Sequence, residues 1–304
     1  MNNRIDNCFA RLRSEKRKAF IPYICAGDPS LEKTVDLVHA LENGGADLVE
    51  LGIPFSDPLA DGIVNQLAAQ RALNAGATVR GVLGCIRNIR ARSTIPIVLY
   101  TYLNPVLQFG FEKFHRKAEA AGVDGLLILD LPPEEDVAEL GEAGQLLQRR
   151  AAPTQKQANR RNAQELDRLK RSSLKTENDR KNASETVFHV RLVAPTTPPA
   201  RVAVITKNAR GFLYYISREG VTGARETIAC SLGDRIAELR KFSDLPIAVG
   251  FGISNADQAR EVARHADAVV VGSAIVDLIA KNGTKPDMID KVGSFAFELA
   301  NAIH

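Results

Sequence analysis

Large apolar side chains gather in eight short runs along the chain, each followed by a longer stretch with helical spacing. The runs are FIPYICA (20–26), ADLVELG (46–52), IPIVLYTY (95–102), VDGLLILD (123–130), FHVRLVA (188–194), GFLYYIS (211–217), LPIAVGF (245–251) and ADAVVVG (266–272). Within them apolar residues are nearly continuous, as in parallel strands buried on both faces. The stretch LEKTVDLVHALENGGA shows the intervening element. Leu31, Val35, Val38 and Leu41 share one helical face there, and Gly44–Gly45 ends the helix. Eight strands alternating with helices predict an α/β chain folded as one (β/α)8 barrel domain over residues 1–304. A doubly wound open sheet is the alternative. It would usually place a glycine-rich phosphate fingerprint after the first strand, and CAGDPS is not one.

One segment breaks the rhythm. From about Leu140 to Glu185 the chain is dominated by Gln, Asn, Arg, Lys and Ala. Only Leu166, Leu169 and Leu174 supply large apolar side chains between Arg149 and Thr186. So little apolar surface cannot offset the entropy of ordering. A polar surface insertion over 141–185 is expected, partly disordered or with a helix around AQELDRLKRS, in the connection between the fourth helix and the fifth strand. The chain length of 304 residues fits a barrel of about 250 plus such an insertion.

Charge follows the same division. The formal net charge is +4, yet residues 141–190 carry eleven Lys/Arg against six Asp/Glu, so the rest of the chain is slightly acidic. The barrel proper needs no polyanionic partner, and the insertion lacks the aromatic side chains on which bases stack, so no nucleic acid is expected. No apolar run approaches the roughly 18 residues of a membrane span. The N-terminal MNNRIDNCFARLRSEKRKAF has no apolar core of a secretory signal. Cys8, Cys25, Cys85 and Cys230 lie far apart, as reduced thiols of a cytoplasmic protein would. The five histidines show no metal-ligand spacing, so no metal is expected.

A barrel of this kind works at the C-terminal ends of its strands. Glu50 stands at such an end, Asp61 in the loop after it, and Asp130 at the end of the fourth strand. A carboxyl group over an apolar barrel mouth is costly to ionise, which suits a general acid/base; pairing with a lysine or capping a loop is the alternative for Glu50. Three strand-end segments, REGVTGAR (218–225), GFGISNADQA (250–259) and GSAIV (272–276), combine glycine with small hydroxyl residues. Glycine lets backbone N–H groups approach an anion, and Ser273 opening a helix adds a hydroxyl and a dipole, so a phosphate site is expected there. Tyr23, Tyr102, Leu127, Tyr214 and Phe251 could wall a flat apolar ligand or simply fill the barrel. Arg218, Arg225 and Lys207 fit solvated surface better than a phosphate. His39, in a helix, reads as solvated or satisfied.

The ordered series ELGIPFSDPLADG, CAGDPS, LNP (103–105), DLPPEE (130–135), RLVAPTTPPAR (191–201), SREGVTGAR, GFGIS and GSAIV resembles the α subunit of tryptophan synthase. The resemblance covers residues 1–135 and 188–304. It implies a lyase of L-tryptophan biosynthesis that cleaves indole-3-glycerol phosphate to indole and glyceraldehyde 3-phosphate without a cofactor. Glu50 would be the acid/base at the indole ring carbon and the glycerol hydroxyl, and Asp61 would take up charge at the indole N–H. Phosphate contacts carry over to Gly223, Gly252, Gly272 and Ser273, wall contacts to Tyr23, Tyr102, Tyr214 and Phe251, and loop closure over Asp61 to Thr222. The resemblance also implies an α2β2 complex whose β subunits hold pyridoxal phosphate, met by the loop with Pro54, Asp57 and Pro58.

The chain departs from the family at two places. Ile63 stands where proline usually follows Asp61-Gly62, and the insertion is roughly 35 to 40 residues longer than the usual connection, long for a compact domain. Two other readings stay open on the sequence: a stand-alone lyase releasing indole, and a catalytically silent barrel that activates a β partner.

Overall fold

All eight expected strands form, with boundaries shifted by at most three residues. In chain order they are β1 (Ala19–Cys25), β2 (Val49–Gly52), β3 (Ile97–Thr101), β4 (Gly125–Ile128), β5 (Phe188–His189), β6 (Arg191–Val193), β7 (Leu213–Ile216), β8 (Ile247–Gly250) and β9 (Ala268–Val271). Every pairing is parallel, in the order β5-β4-β3-β2-β1-β9-β8-β7-β6. The count of nine arises because the fifth strand is split at Val190. Phe188 and His189 pair with Gly125 and Leu126, whereas Arg191 to Val193 pair with Leu213 to Tyr215. One six-residue stretch thus bonds one neighbour with its first half and the other with its second. That division closes the sheet into the eight-staved barrel.

The computed structural model describes residues 3–135, 187–216, 225–250, 252–283 and 285–304. The chain divides into two compact units, Met1–Leu131 with Val187–His304, and Pro132–Thr186. The barrel is the first. Of the second, only residues 132–135 are described, including the 3-10 turn Pro133–Glu135. The 141–185 insertion and its expected helix lie outside the described residues.

The N-terminal end of the barrel is filled. Helix Arg4–Glu15, capped by the Asn3 side chain, lays Ile5, Cys8, Phe9 and Leu12 against Ala19, Leu48, Phe188, Phe212 and Ala268 at the strand beginnings. Burial of each large side chain stabilises by roughly 1.5–3 kcal/mol. Three aspartates tie the strands together at the same end. Asp47 accepts from the Phe20 N–H at 3.0 Å, Asp124 from Ile97 at 2.8 Å, and Asp267 from Ile247 at 3.0 Å. Each also holds an arginine: Arg11 on Asp47, Arg4 and Arg90 on Asp124, and Arg240 on Asp267. A buried carboxylate with a backbone donor and a guanidinium is satisfied.

The helix Leu31–Asn43 ends at Gly44 and is followed by Gly45 at φ +98, as glycine pairs allow. Its buried face differs from the expected one. Thr34, Leu37, Val38 and Leu41 are buried, while Leu31 and Val35 are half-buried. Thr34 takes its place by hydrogen bonding to the Gly27 N–H and the Ser30 carbonyl, a polar contribution that hydrophobic spacing does not register.

Candidate active site

With one end plugged, the functional groups sit at the other. Glu50 lies on β2, level with Tyr23 on β1 and Val98 on β3. It is 1 % exposed, and neither carboxyl oxygen has a hydrogen-bond partner among the described residues. The expectation that it pairs with a lysine or caps a loop finds no support there. Burial without compensation disfavours the charged form, and it pushes the Glu50 carboxyl up to about 8.

Asp61 is held differently. Its Oδ1 accepts from the Tyr100 hydroxyl at 2.8 Å and its Oδ2 from the Tyr102 hydroxyl at 2.8 Å. The Tyr102 oxygen in turn accepts from the Ala60 N–H at 3.0 Å. Burial raises the Asp61 carboxyl above the usual range, opposed by hydrogen bonds from Tyr102, Tyr100 and Asn65. The loop is further fixed by its continuation into helix Ile63–Asn74, where Arg71 forms a bidentate pair with buried Asp28. Asp130, the third candidate acid, accepts from the Leu103 N–H at 2.6 Å and so caps helix Leu103–Phe109.

Tyr23, Tyr102 and Tyr214 are buried, and burial raises each phenol above its ordinary range, so they remain protonated donors. Leu127 belongs to the barrel core. Tyr100 was not singled out in the sequence; it stands two residues from Val98 and two from Tyr102, so strand alternation puts the three on one face. Its ring packs edge-on against Tyr23 with centroids 5.0 Å apart. Tyr23 can take that position because Gly52, beside it on β2, has no side chain; a Cβ there would lie 2.9 Å from the Tyr23 Cζ.

At the expected phosphate site, Gly272 precedes helix Ser273–Asn282, with Ser273 exposed at its first turn. Gly252 has φ +62 with open space around it, a conformation that favours glycine. Asn255 caps the nearby helix Ala256–Ala263. Two helix N-termini therefore stand after β8 and β9, where orphan N–H groups and helix dipoles favour an anion. Thr222, Gly223 and Phe251 lie outside the described residues, as do the side chains of Arg218 and Arg225. Lys207 is exposed.

The histidines contribute to packing in ways their spacing concealed. His115 and His189 meet with Nε2 atoms 2.8 Å apart, and His304 reaches Asp47 at 2.8 Å. His39 is partly exposed, with its Nδ1 3.8 Å from Glu42 and its Nε2 buried without a partner among the described residues. Among the described residues, no group of three or more His, Cys, Asp or Glu could hold a metal ion. No described helix is long and apolar enough to cross a membrane.

The chain is similar to proteins of known identity. The family model for the tryptophan synthase alpha chain matches residues 9–146 and 171–304. The tryptophan synthase alpha chain of Opitutus terrae is 43% identical over 287 residues, covering 94% of this chain and 93% of that protein. That of Geobacter sulfurreducens is 41% identical over 301 residues, covering 99% of each. Among solved structures, the alpha subunit from Legionella pneumophila strain Paris superposes with a TM-score of 0.78 at 34% identity, covering 100% of this chain and 99% of that one. A Mycobacterium tuberculosis tryptophan synthase chain gives 0.75 at 29% identity, covering 100% and 99%. The chain belongs to the family of tryptophan synthase alpha chains.

Proposed function

We propose that Glu50 and Asp61 divide the proton work of the retro-aldol cleavage of indole-3-glycerol phosphate to indole and glyceraldehyde 3-phosphate. The observation that carries these roles is the buried, unpartnered Glu50 carboxyl, held protonated up to about pH 8. A protonated Glu50 delivers its proton to the indole ring carbon that bears the glycerol chain. Asp61, ionised, accepts the indole N–H and offsets the positive charge that arises on the ring. The Glu50 carboxylate then takes the proton of the neighbouring glycerol hydroxyl. As it does so, the carbon–carbon electron pair returns to the ring and the aldehyde forms. One proton is given and one regained, so the chemistry needs no cofactor in this chain.

The remaining site residues follow from that chemistry. Tyr23, Tyr102, Tyr214 and Phe251 would wall the indole. Gly223, Gly252, Gly272 and Ser273 would hold the phosphate, supported by the helix N-termini after β8 and β9. Thr222 would close over Asp61 and exclude water during carbon protonation.

The chain is the alpha subunit of an α2β2 complex, and pyridoxal phosphate belongs to the β subunit. The loop with Pro54, Asp57 and Pro58 is the proposed docking region. Leu59, Ile63 and Leu67, 91%, 66% and 52% exposed, support it as an apolar surface left for a partner. A cytoplasmic location accords with free, buried Cys8, Cys25 and Cys85. Indole release by the purified chain, measured with and without a β subunit, tests the reading. A rise on adding β is expected. Full activity alone with no rise would point to a stand-alone lyase, and no cleavage in either case to a silent barrel.

A further inference from the structure

We propose that Tyr100 is a positioning residue for the cleavage, holding Asp61 against the barrel wall so that its loop presents the carboxylate to the indole N–H. The inference rests on the catalytic role of Asp61 proposed above, and it assigns to Tyr100 a part that neither its sequence context nor the family likeness gives it.

Asp61 lies in a connection, and a carboxylate on a loop has no fixed direction of its own. Two phenols supply one, each bonded to a different oxygen at 2.8 Å. They are not equivalent. Tyr102 lies just beyond the strand and also accepts the Ala60 N–H, so its hydroxyl is tied to the loop at two points. Tyr100 is inside β3, whose backbone is fixed by pairing with β2 and β4. Its hydroxyl reaches Asp61 from the rigid sheet and has no other recorded partner among the described residues. Tyr100 is therefore the link between the barrel framework and the acid on the loop.

The ring is itself braced. Tyr23 packs edge-on against it, and Tyr23 sits in the notch left by Gly52. The tyrosine on the strand, its aromatic neighbour and the glycine beside that neighbour form one packed series ending at Asp61 Oδ1. Preorganising an acid in this way spares the reorganisation that would otherwise accompany each substrate. Both Asp61 oxygens are engaged before substrate arrives, so an indole N–H shares or displaces a phenol. The carboxylate thus answers to a donor placed where the indole nitrogen sits.

The electrostatic surroundings give a second, independent readout. The titratable groups acting with Asp61 are Cys25 and Tyr23 on β1, Tyr100 and Tyr102 from β3 and its end, and Tyr214 on β7. The Tyr100 hydrogen bond lowers the Asp61 carboxyl against the burial that raises it. Removing the hydroxyl leaves Asp61 protonated to a higher pH.

The test is a double-mutant cycle on the full chain with its β subunit present, using Tyr100→Phe, Asp61→Asn and the pair, read as indole release. Phenylalanine keeps the ring and its packing on Tyr23. Tyr100→Phe is expected to lower kcat/KM about 10- to 100-fold, the usual cost of a hydrogen bond to a charged group. Its acidic limb should move to higher pH. In the Asp61→Asn background the same substitution should add less than about twofold, because its route is gone. Unchanged kinetics in Tyr100→Phe, or an equal loss in both backgrounds, would overturn the inference while leaving the Asp61 role intact. Full turnover in Asp61→Asn alone would overturn that role and this inference with it.

Discussion

At the scale of single residues, the candidate site holds two carboxyl groups in unlike surroundings. Glu50 has neither partner nor solvent, whereas Asp61 has two phenolic donors. Burial favours the protonated form of the first and the phenols favour the ionised form of the second, the division that the proposed roles require. The cost of the Glu50 arrangement falls on stability. A glutamate ionises near 4.5 in the unfolded chain and near 8 in the barrel. Between those values the unfolded state holds fewer protons than the native one, so native stability falls as pH rises through the window. The loss is roughly 5 kcal/mol at the top. Glu50→Gln has no proton to lose. Thermal melts from about pH 5 to about pH 9 should show the variant gaining on the native chain with rising pH. A constant difference between the two would contradict the burial account.

The acids also mark what the sequence could disclose. Glu50 and Asp61 were legible because they interrupt an apolar strand end and its loop, where acids are costly. Asp47, Asp124 and Asp267 stand before strands in GGADL, AGVDG and RHADA, and their position at the other end makes them ties to neighbouring N–H groups and arginines. Strand direction separates the two classes. Tyr100 escaped because a tyrosine within an apolar strand reads as filling, and only tertiary geometry brings its hydroxyl to Asp61.

At the scale of elements, each part of the barrel has one task. Helix Arg4–Glu15 fills the N-terminal end, and the strands carry the site at the other. The strand runs were readable because parallel strands buried on both faces are continuously apolar. The division of the fifth strand was not, because pairing partners change at Val190 without a break in composition. The family model leaves 147–170 unmatched, within the expected 141–185 insertion, while it matches 141–146 and 171–185. The residues proposed for acid/base work, wall and phosphate all lie outside 141–185. Deleting residues 141–185 and rejoining the chain should leave kcat for indole release within about twofold. Loss of activity in a variant that still folds, judged by circular dichroism, would mean that the segment reaches the site.

At the scale of the whole molecule, a closed parallel barrel with one end packed buries a carboxyl group on β2 away from water. The fold thus produces the acid: the same burial that stabilises the core raises Glu50 to about 8. The most direct test is the pH dependence of indole release from indole-3-glycerol phosphate by the native chain and by Glu50→Gln, both in the presence of a β subunit. The native chain is predicted to lose kcat/KM above about pH 8 as Glu50 ionises. Glu50→Gln is predicted to fall by about 10²- to 10⁴-fold at every pH while remaining folded. Turnover in Glu50→Gln at the native rate would contradict the account.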